Sequence, residues 1–287
     1  GGVDVDSVPF ISVDGPPAFQ WQIGECTRCH GIRQLGFQLM ISRGQQPVYD
    51  SGNVQGGESM HICRSLALAS DTRYEYTVRV EAVDSVGERH YGSHRGRFGV
   101  ALAAVDWATS QWIGGGTQFR HDFALPAGDV TAATAYVAGV GCATLSVNSG
   151  PASDARLEPG WAHLPTVRMP FRAYDVGHLL RPGSNNTLGL RVGMCHYGYV
   201  EAFCAGAHAA NANCRALRLV LNVHFGNGAT QTVASQAGVD WQQTSVGDPI
   251  RYSHLYHGEI RDQRREEPGW DSPGGRADEP AWAPSVK

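Results

Sequence analysis

Two stretches, Phe37-Gln38-Leu39-Met40-Ile41-Ser42 and Tyr74-Glu75-Tyr76-Thr77-Val78-Arg79-Val80, alternate apolar and polar residues at close to a two-residue period. Only an extended chain sends successive side chains to opposite faces, so both segments are committed to half-buried β-strands. Asp84-Ser85-Val86-Gly87 follows the second with the residues of a tight turn. The chain then returns through a strand ending at Arg97-Phe98-Gly99. With 36 glycines, 15 prolines and no long amphipathic stripe in 287 residues, the same inference extends to the whole chain. It is an all-β protein of many short strands joined by turns.

The length admits two ordinary domains. Residues 8–100 have the layout of a small antiparallel sandwich, of fibronectin III or immunoglobulin-like type, with alternating faces of two sheets buried. Ala101 to Val105 is an apolar linker, and Asp106-Trp107 opens a second domain over 106–271. Its strands are expected at Phe119–Leu125, Ala132–Val140, Ala143–Val147, Thr166–Tyr174, Asn186–Val192, Leu217–Phe225 and Thr230–Ala234. Seven or more such strands favour a jelly roll, an architecture frequent among carbohydrate-binding modules. Asp175 to Leu180 reads as one helical turn capped by Asp175 and stopped by Pro182-Gly183. Residues 272–287, rich in Gly, Pro and acids, read as a flexible tail.

A formal net charge of −4 with scattered Lys and Arg gives no basic patch for phosphates, so a nucleic-acid partner is not expected. No apolar run approaches the ~20 residues that span a bilayer, and no signal segment opens the chain. The start at Gly1-Gly2 without Met leaves a removed signal peptide, and with it an extracellular location, open. Seven cysteines cannot all pair within one chain, so the redox compartment is open too.

Several clusters invite a chemical reading. Cys26-x-x-Cys29 with His30 resembles half of a zinc site, but the second paired motif is missing, since Cys63 and Cys142 stand singly. These are read as loop cysteines, free or paired. Cys195, Cys204 and Cys214 lie in a polar, glycine-rich loop with room for one disulfide whose members sequence does not choose. His254-x-x-His257-x-Glu259 suggests metal, yet strand positions three apart point to opposite faces and would separate the imidazoles. A structural strand, with Glu259 or Asp262 pairing Arg261 or Arg264, is the simpler reading. Glu266, Glu267 and Asp271 read as a solvated charge run rather than a catalytic carboxylate pair.

One ordered series of motifs points further. Asp154-Ala155-Arg156-Leu157-Glu158-Pro159-Gly160-Trp161 combines with Tyr174-Asp175-Val176 and Leu179-Leu180. Around them stand Phe19-Gln20-Trp21, Tyr49-Asp50-Ser51-Gly52, Leu68 to Tyr76, Asp106-Trp107, Trp112-Ile113, Val147-Asn148, and Tyr256-x-Gly258-Glu259-x-x-Asp262-x-Arg264. Each is weak alone, but their order over roughly nine-tenths of the chain resembles the N-terminal non-catalytic β-domains of bacterial-type α-L-rhamnosidases, glycoside hydrolase family 78. In that family hydrolysis belongs to a large (α/α)6 barrel far downstream, and nothing here has the helical periodicity to build one. The resemblance implies three readings: a non-catalytic module binding an L-rhamnose-type glycan or acting as a scaffold, the front fragment of a full-length rhamnosidase with a downstream catalytic domain as partner, or a stand-alone protein-interaction module.

The resemblance also implies a site. Some members bind L-rhamnose through Ca²⁺ held by acidic and amide oxygens. The matching position is Asp154, with Asn148 nearby and Trp161 as a plate for stacking on a sugar. Ala155 stands where a second oxygen ligand is expected. Gly193-Met194-Cys195-His196 replaces the usual Gly-Asn-Gly-Trp, removing an amide and an indole, with Tyr197, Tyr199 and Phe203 as substitute platforms. The expected carbohydrate-binding set is therefore Asp154, Asn148, Trp161, Tyr197 and Tyr199, with Asp154 as the calcium ligand and no catalytic residue.

Overall fold

The computed structural model describes residues 9–12, 15–24, 30–160, 169–193, 195, 215–244, 248–275 and 282–286. The chain divides into two compact units, Gly1–Asp106 and Trp107–Lys287. Among the described residues no helix is long and apolar enough to cross a membrane.

The first unit contains β1 (Phe10–Ile11), β2 (Ala18–Gln20), β3 (Arg33–Arg43), β4 (Gln46–Asp50), β5 (Val54–Gln55), β6 (Met60–Ile62), β7 (Thr72–Val83) and β8 (Arg89–Val100). The main sheet runs β1-β8-β7-β3-β4, with β5 also on β3, and β2 pairs β6 in a smaller sheet. The alternation read from sequence produces this arrangement. Leu39 and Ile41 of β3, Tyr74 and Val78 of β7 and Phe98 of β8 turn inward to one core. Each such side chain contributes ~1.5–3 kcal/mol by leaving water. The smaller sheet closes over them, Phe19 meeting Tyr76 at 5.3 Å and Phe98 at 5.5 Å between ring centres. The expected turn joins β7 to β8: Asp84 Oδ1 accepts from the Val86 and Glu88 amides, and Gly87 takes φ 88°.

The second unit contains β9 (Ile113–Gly114), β10 (Gln118–Ala124), β11 (Val130–Val140), β12 (Cys142–Val147), β13 (Gly150–Pro151), β14 (Phe171–Asp175), β15 (Asn185–Gly193), β16 (Ala216–Phe225), β17 (Thr230–Ala234), β18 (Gly238–Thr244), β19 (Ile250–His254), β20 (Gly258–Arg261) and β21 (Ala283–Ser285). One sheet runs β13-β12-β15-β10-β18-β21, and another runs β14-β11-β16-β17 with β9 on β16. Alternate residues Leu217, Leu219, Leu221 and Val223 of β16 face Phe119, Leu145, Leu188, Leu190 and Trp241 from the other sheet in one core. The Trp241 indole is satisfied by donating to the Ala234 carbonyl at 3.0 Å. Trp107 is buried in this unit, edge-on to Phe171 at 5.3 Å and beneath the Arg218 guanidinium at 5.6 Å.

The structure corrects several expectations. The strand expected over Thr166–Tyr174 is observed as Phe171–Asp175, and residues 166–168 lie outside the described ones. The helical turn is a 3-10 turn at Gly177–Leu179, with Asp175 Oδ1 accepting from the Gly177 amide at 3.3 Å. Residues 282–286, in the segment expected to be a flexible tail, are not free. Ala283 and Pro284 pair with Gln243 and Gln242, while Trp282 and Trp270, each 8% exposed, stack with centroids 6.0 Å apart. Composition predicted disorder there because two tryptophans and one short strand carry the anchoring. Cys195 bonds Cys142, with Cα atoms 5.4 Å apart, rather than another cysteine of its own loop. The physical reason is strand register, since Cys142 lies opposite Gly193.

Candidate functional site

Phe119 and Phe123 of β10 and Leu188 and Leu190 of β15 enter the core. The alternation therefore turns Gln118, Arg120 and Asp122, and Thr187, Gly189 and Arg191, to the opposite face of the sheet. Register places Gln118 beside Arg191, Arg120 beside Gly189 and Asp122 beside Thr187. This polar face is not left to water. A strap formed by residues 263–275 lies over it, and the side chains are built for that cover. Arg120, 1% exposed, donates to the Trp270 carbonyl at 2.8 Å, to the Ser272 carbonyl at 3.4 Å and to Asp122 Oδ2 at 2.7 Å. Thr187 Oγ1 donates to Asp122 Oδ1 at 2.5 Å. A Cβ on Gly189 would sit 2.5 Å from Asp271 Cβ, so only glycine lets the strap approach.

Electrostatics fasten the other end of the strap. The Arg191 guanidinium lies 5.4 Å from the Trp270 ring centre, a cation–π contact. Arg191 also donates to Glu266 at 2.8 Å, and Arg261 pairs the second Glu266 oxygen. Burial pushes the Glu266 carboxyl up, but the hydrogen bonds from Arg191 and Arg261 outweigh it and hold it below the ordinary range. Glu266 is thus a bridge between two arginines, correcting its reading as a solvated charge. Asp262 pairs Arg264 as expected, at 2.8 Å, and that hydrogen bond takes its carboxyl down to about 2. In its hydrogen-bonding orientation the buried Gln118 amide oxygen accepts from Arg191 Nε at 3.0 Å.

At one end of this face lies the β12–β13 hairpin, which holds the predicted site residue Asn148, with Asp154 shortly after it in the chain. Asn148 and Ser149 form its two-residue turn with φ 53° and 65°, the backbone a type I′ hairpin requires. The Asn148 amide donates to the Leu179 carbonyl at 2.9 Å and to Asn186 Oδ1 at 2.8 Å. Its oxygen accepts from the Thr187 amide at 2.9 Å. All three polar positions of Asn148 therefore have protein partners. Ser149 Oγ donates to Asp271 at 2.8 Å, joining the hairpin to the strap.

Asp154 is exposed, and its backbone carbonyl accepts from Arg156 at 2.5 Å. Among the described residues, the one group of three His, Cys, Asp or Glu ligands close enough to share an ion is Asp84, Glu88 and His90 in the first unit, not a set around Asp154. Trp161, Tyr197, Tyr199 and Phe203 lie outside the described residues, as do Cys26 and Cys29. Nearby, Glu158 accepts from the Tyr174 hydroxyl at 2.7 Å and pairs Arg172 at 2.9 Å. Burial, then Glu158, raises the Tyr174 pKa.

His254 and His257 stand at the two sides of the β19–β20 turn, their rings stacked with centroids 4.4 Å apart. The expectation that they diverge fails because the chain reverses between them. The hairpin is a structural element even so, with Tyr252 stacked on both imidazoles.

With the fold and this polar face in hand, comparison with known proteins identifies the class. The model of the α-L-rhamnosidase N-terminal domain matches residues 128–287, and that of the Rha78A-like N-terminal immunoglobulin domain matches residues 8–103. The chain belongs to the α-L-rhamnosidase N-terminal domain family, with an immunoglobulin-like domain in front. An α-L-rhamnosidase of Streptomyces avermitilis is 31% identical over 188 residues, covering 63% of this chain and 17% of that protein. One of Formosa agariphila is 27% identical over 290 residues, covering 91% and 30%. The solved structure of the Streptomyces avermitilis α-L-rhamnosidase complexed with L-rhamnose superposes with a TM-score of 0.77 at 17% identity, covering 98% of this chain and 44% of that one. The chain thus spans less than a third of either sequence relative.

Proposed function

We propose that this chain is the non-catalytic front region of an α-L-rhamnosidase, in which the second unit binds an L-rhamnose-type glycan and both units brace a catalytic domain carried elsewhere in the protein. The observation that carries this reading is the family match over residues 128–287 together with the small share of each relative that the chain spans. The exposed carboxylate of Asp154, beside a hairpin held rigid by Asn148, is the group best placed to meet a sugar hydroxyl. Calcium assistance rests on that same carboxylate, a hard oxygen donor of the kind Ca²⁺ prefers. The downstream catalytic domain and the rhamnose-containing glycan are the partners this reading requires.

A purely structural scaffold is the second reading. It is favoured by the full internal use of Asn148, which leaves its amide hydrogens none to offer a ligand. Calorimetric titration of the chain with L-rhamnose, with calcium and then with chelator, separates the two. Calcium-dependent heat that disappears in Asp154→Ala supports the glycan site; no heat in either buffer leaves the scaffold. The absence of catalysis is tested with an aryl α-L-rhamnoside, from which the pure chain is expected to release no chromophore.

A further inference from the structure

The outward face of the first unit's main sheet is a ladder of polar side chains. Register aligns Gly36, Glu81 and Tyr91 in one row and Gln38, Arg79 and Ser93 in the next. Met40, Thr77 and Arg95 follow, then Ser42, Glu75 and Arg97. Six residues of strand separate the first row from the last, about 20 Å. Two open grooves of about 610 Å³ and 620 Å³ lie along this ladder, the first walled by Tyr91, Arg79, Asn53 and Gln55, the second by Arg95, Arg97 and Tyr49.

Three observations point to one kind of occupant. Tyr91 is 74% exposed, a large aromatic plane left in water while its hydroxyl is steered by Glu81 at 3.4 Å. The carboxylates of the face are largely committed: Glu81 to Arg89, and Asp50 to Gln38 and the Gly52 amide. The guanidiniums of Arg95 and Arg97 make no hydrogen bond or ion pair with any described residue, whereas Arg79 acts electrostatically on Asp50, and Glu75 lies opposite Arg97 in the register. Asp50, Glu75 and Glu81 are outnumbered by Arg79, Arg89, Arg95 and Arg97, so the face carries a slight excess of positive charge, with Arg95 and Arg97 left to meet an anion; guanidinium binds carboxylate in a directed, two-point fashion. An exposed ring beside amides and guanidiniums suits a pyranose, whose apolar face stacks while its hydroxyls find polar partners.

We propose that this sheet face is a second glycan-binding surface, on the immunoglobulin-like unit, for an oligosaccharide bearing uronic-acid carboxylates. It is separate from the Asp154 site and requires no metal.

The test is calorimetric titration of the whole chain in chelator at low salt. The probes are a tetrasaccharide of galacturonic acid, its carboxyl-reduced neutral counterpart and a tetra-aspartate peptide. Binding of the uronic tetrasaccharide alone is expected, weakened about tenfold or more by Arg79→Gln and by Tyr91→Ala, and unchanged in Asp154→Ala. Arg95→Gln, on an exposed position, gives a second variant whose fold circular dichroism checks. Equal affinity for the neutral counterpart or for the peptide overturns the proposal, and so do wild-type heats in all of the correctly folded variants. Loss of L-rhamnose binding in Asp154→Ala without loss of the uronic signal keeps the two sites distinct.

Discussion

Replacing Arg120 by methionine is the sharpest test of the strap. The guanidinium makes one short bond to the Trp270 carbonyl at 2.8 Å and one long bond to the Ser272 carbonyl at 3.4 Å. A hydrogen bond from a charged donor is worth ~1.5–3 kcal/mol, and the long one counts for little of that. Asp122 loses its partner, but its side chain is 44% exposed, so water takes over and the ~3–5 kcal/mol cost of a stranded buried charge does not apply. The buried carbonyl of Trp270 is left without its donor, adding ~1–3 kcal/mol. Methionine keeps the stem's packing, and the sum is a loss of ~2.5–6 kcal/mol. Urea unfolding followed by circular dichroism is then expected to move its midpoint for the second unit by about 1 M or more. Hydrogen exchange should accelerate across residues 266–275. A shift below about 0.3 M with unchanged exchange there would refute the claim that Arg120 holds the strap.

Three further outcomes follow. Asn148→Ala removes an amide that bonds Leu179, Asn186 and Thr187, and is expected to lower stability by ~1–3 kcal/mol by thermal unfolding. Glu266 has a depressed folded pKa, so its contribution is present above its unfolded value near ~4.3 and is lost as pH falls through the lower folded value. Glu266→Gln should therefore flatten the decline of urea midpoints measured from about pH 5 downward. Cys142→Ser with Cys195→Ser opens a crosslink between residues 53 apart and should cost ~2–4 kcal/mol; equal melting temperatures of the oxidised and variant proteins would contradict it.

What the sequence disclosed depended on where the signal lay. β3, β7 and the turn at Asp84 were legible because alternation and turn chemistry are local. β18, Gly238–Thr244, was not, since GVDWQQT has one strong apolar anchor, Trp241. Gln118, Arg120 and Asp122 alternate with Phe119 and Phe123, and alternation alone cannot tell a face covered by a distant strap from one covered by water. The Cys142–Cys195 pair likewise depends on the register of β12 with β15, which appears only when the sheet is assembled. The family resemblance located the Asp154 turn, whereas the internal role of Asn148 needed its three partners to be seen.

The strap has a consequence for synthesis. Arg120 and the carbonyl of Trp270 are 150 residues apart. As the chain leaves the ribosome, β10 and β15 can pair long before the segment that covers them exists. At ~5–20 residues per second, the guanidiniums of Arg120 and Arg191 wait several seconds or more in water. A polar face tolerates that delay, whereas an apolar one of the same size would invite another chain, so the charges that look misplaced in the finished sandwich keep the half-made one soluble.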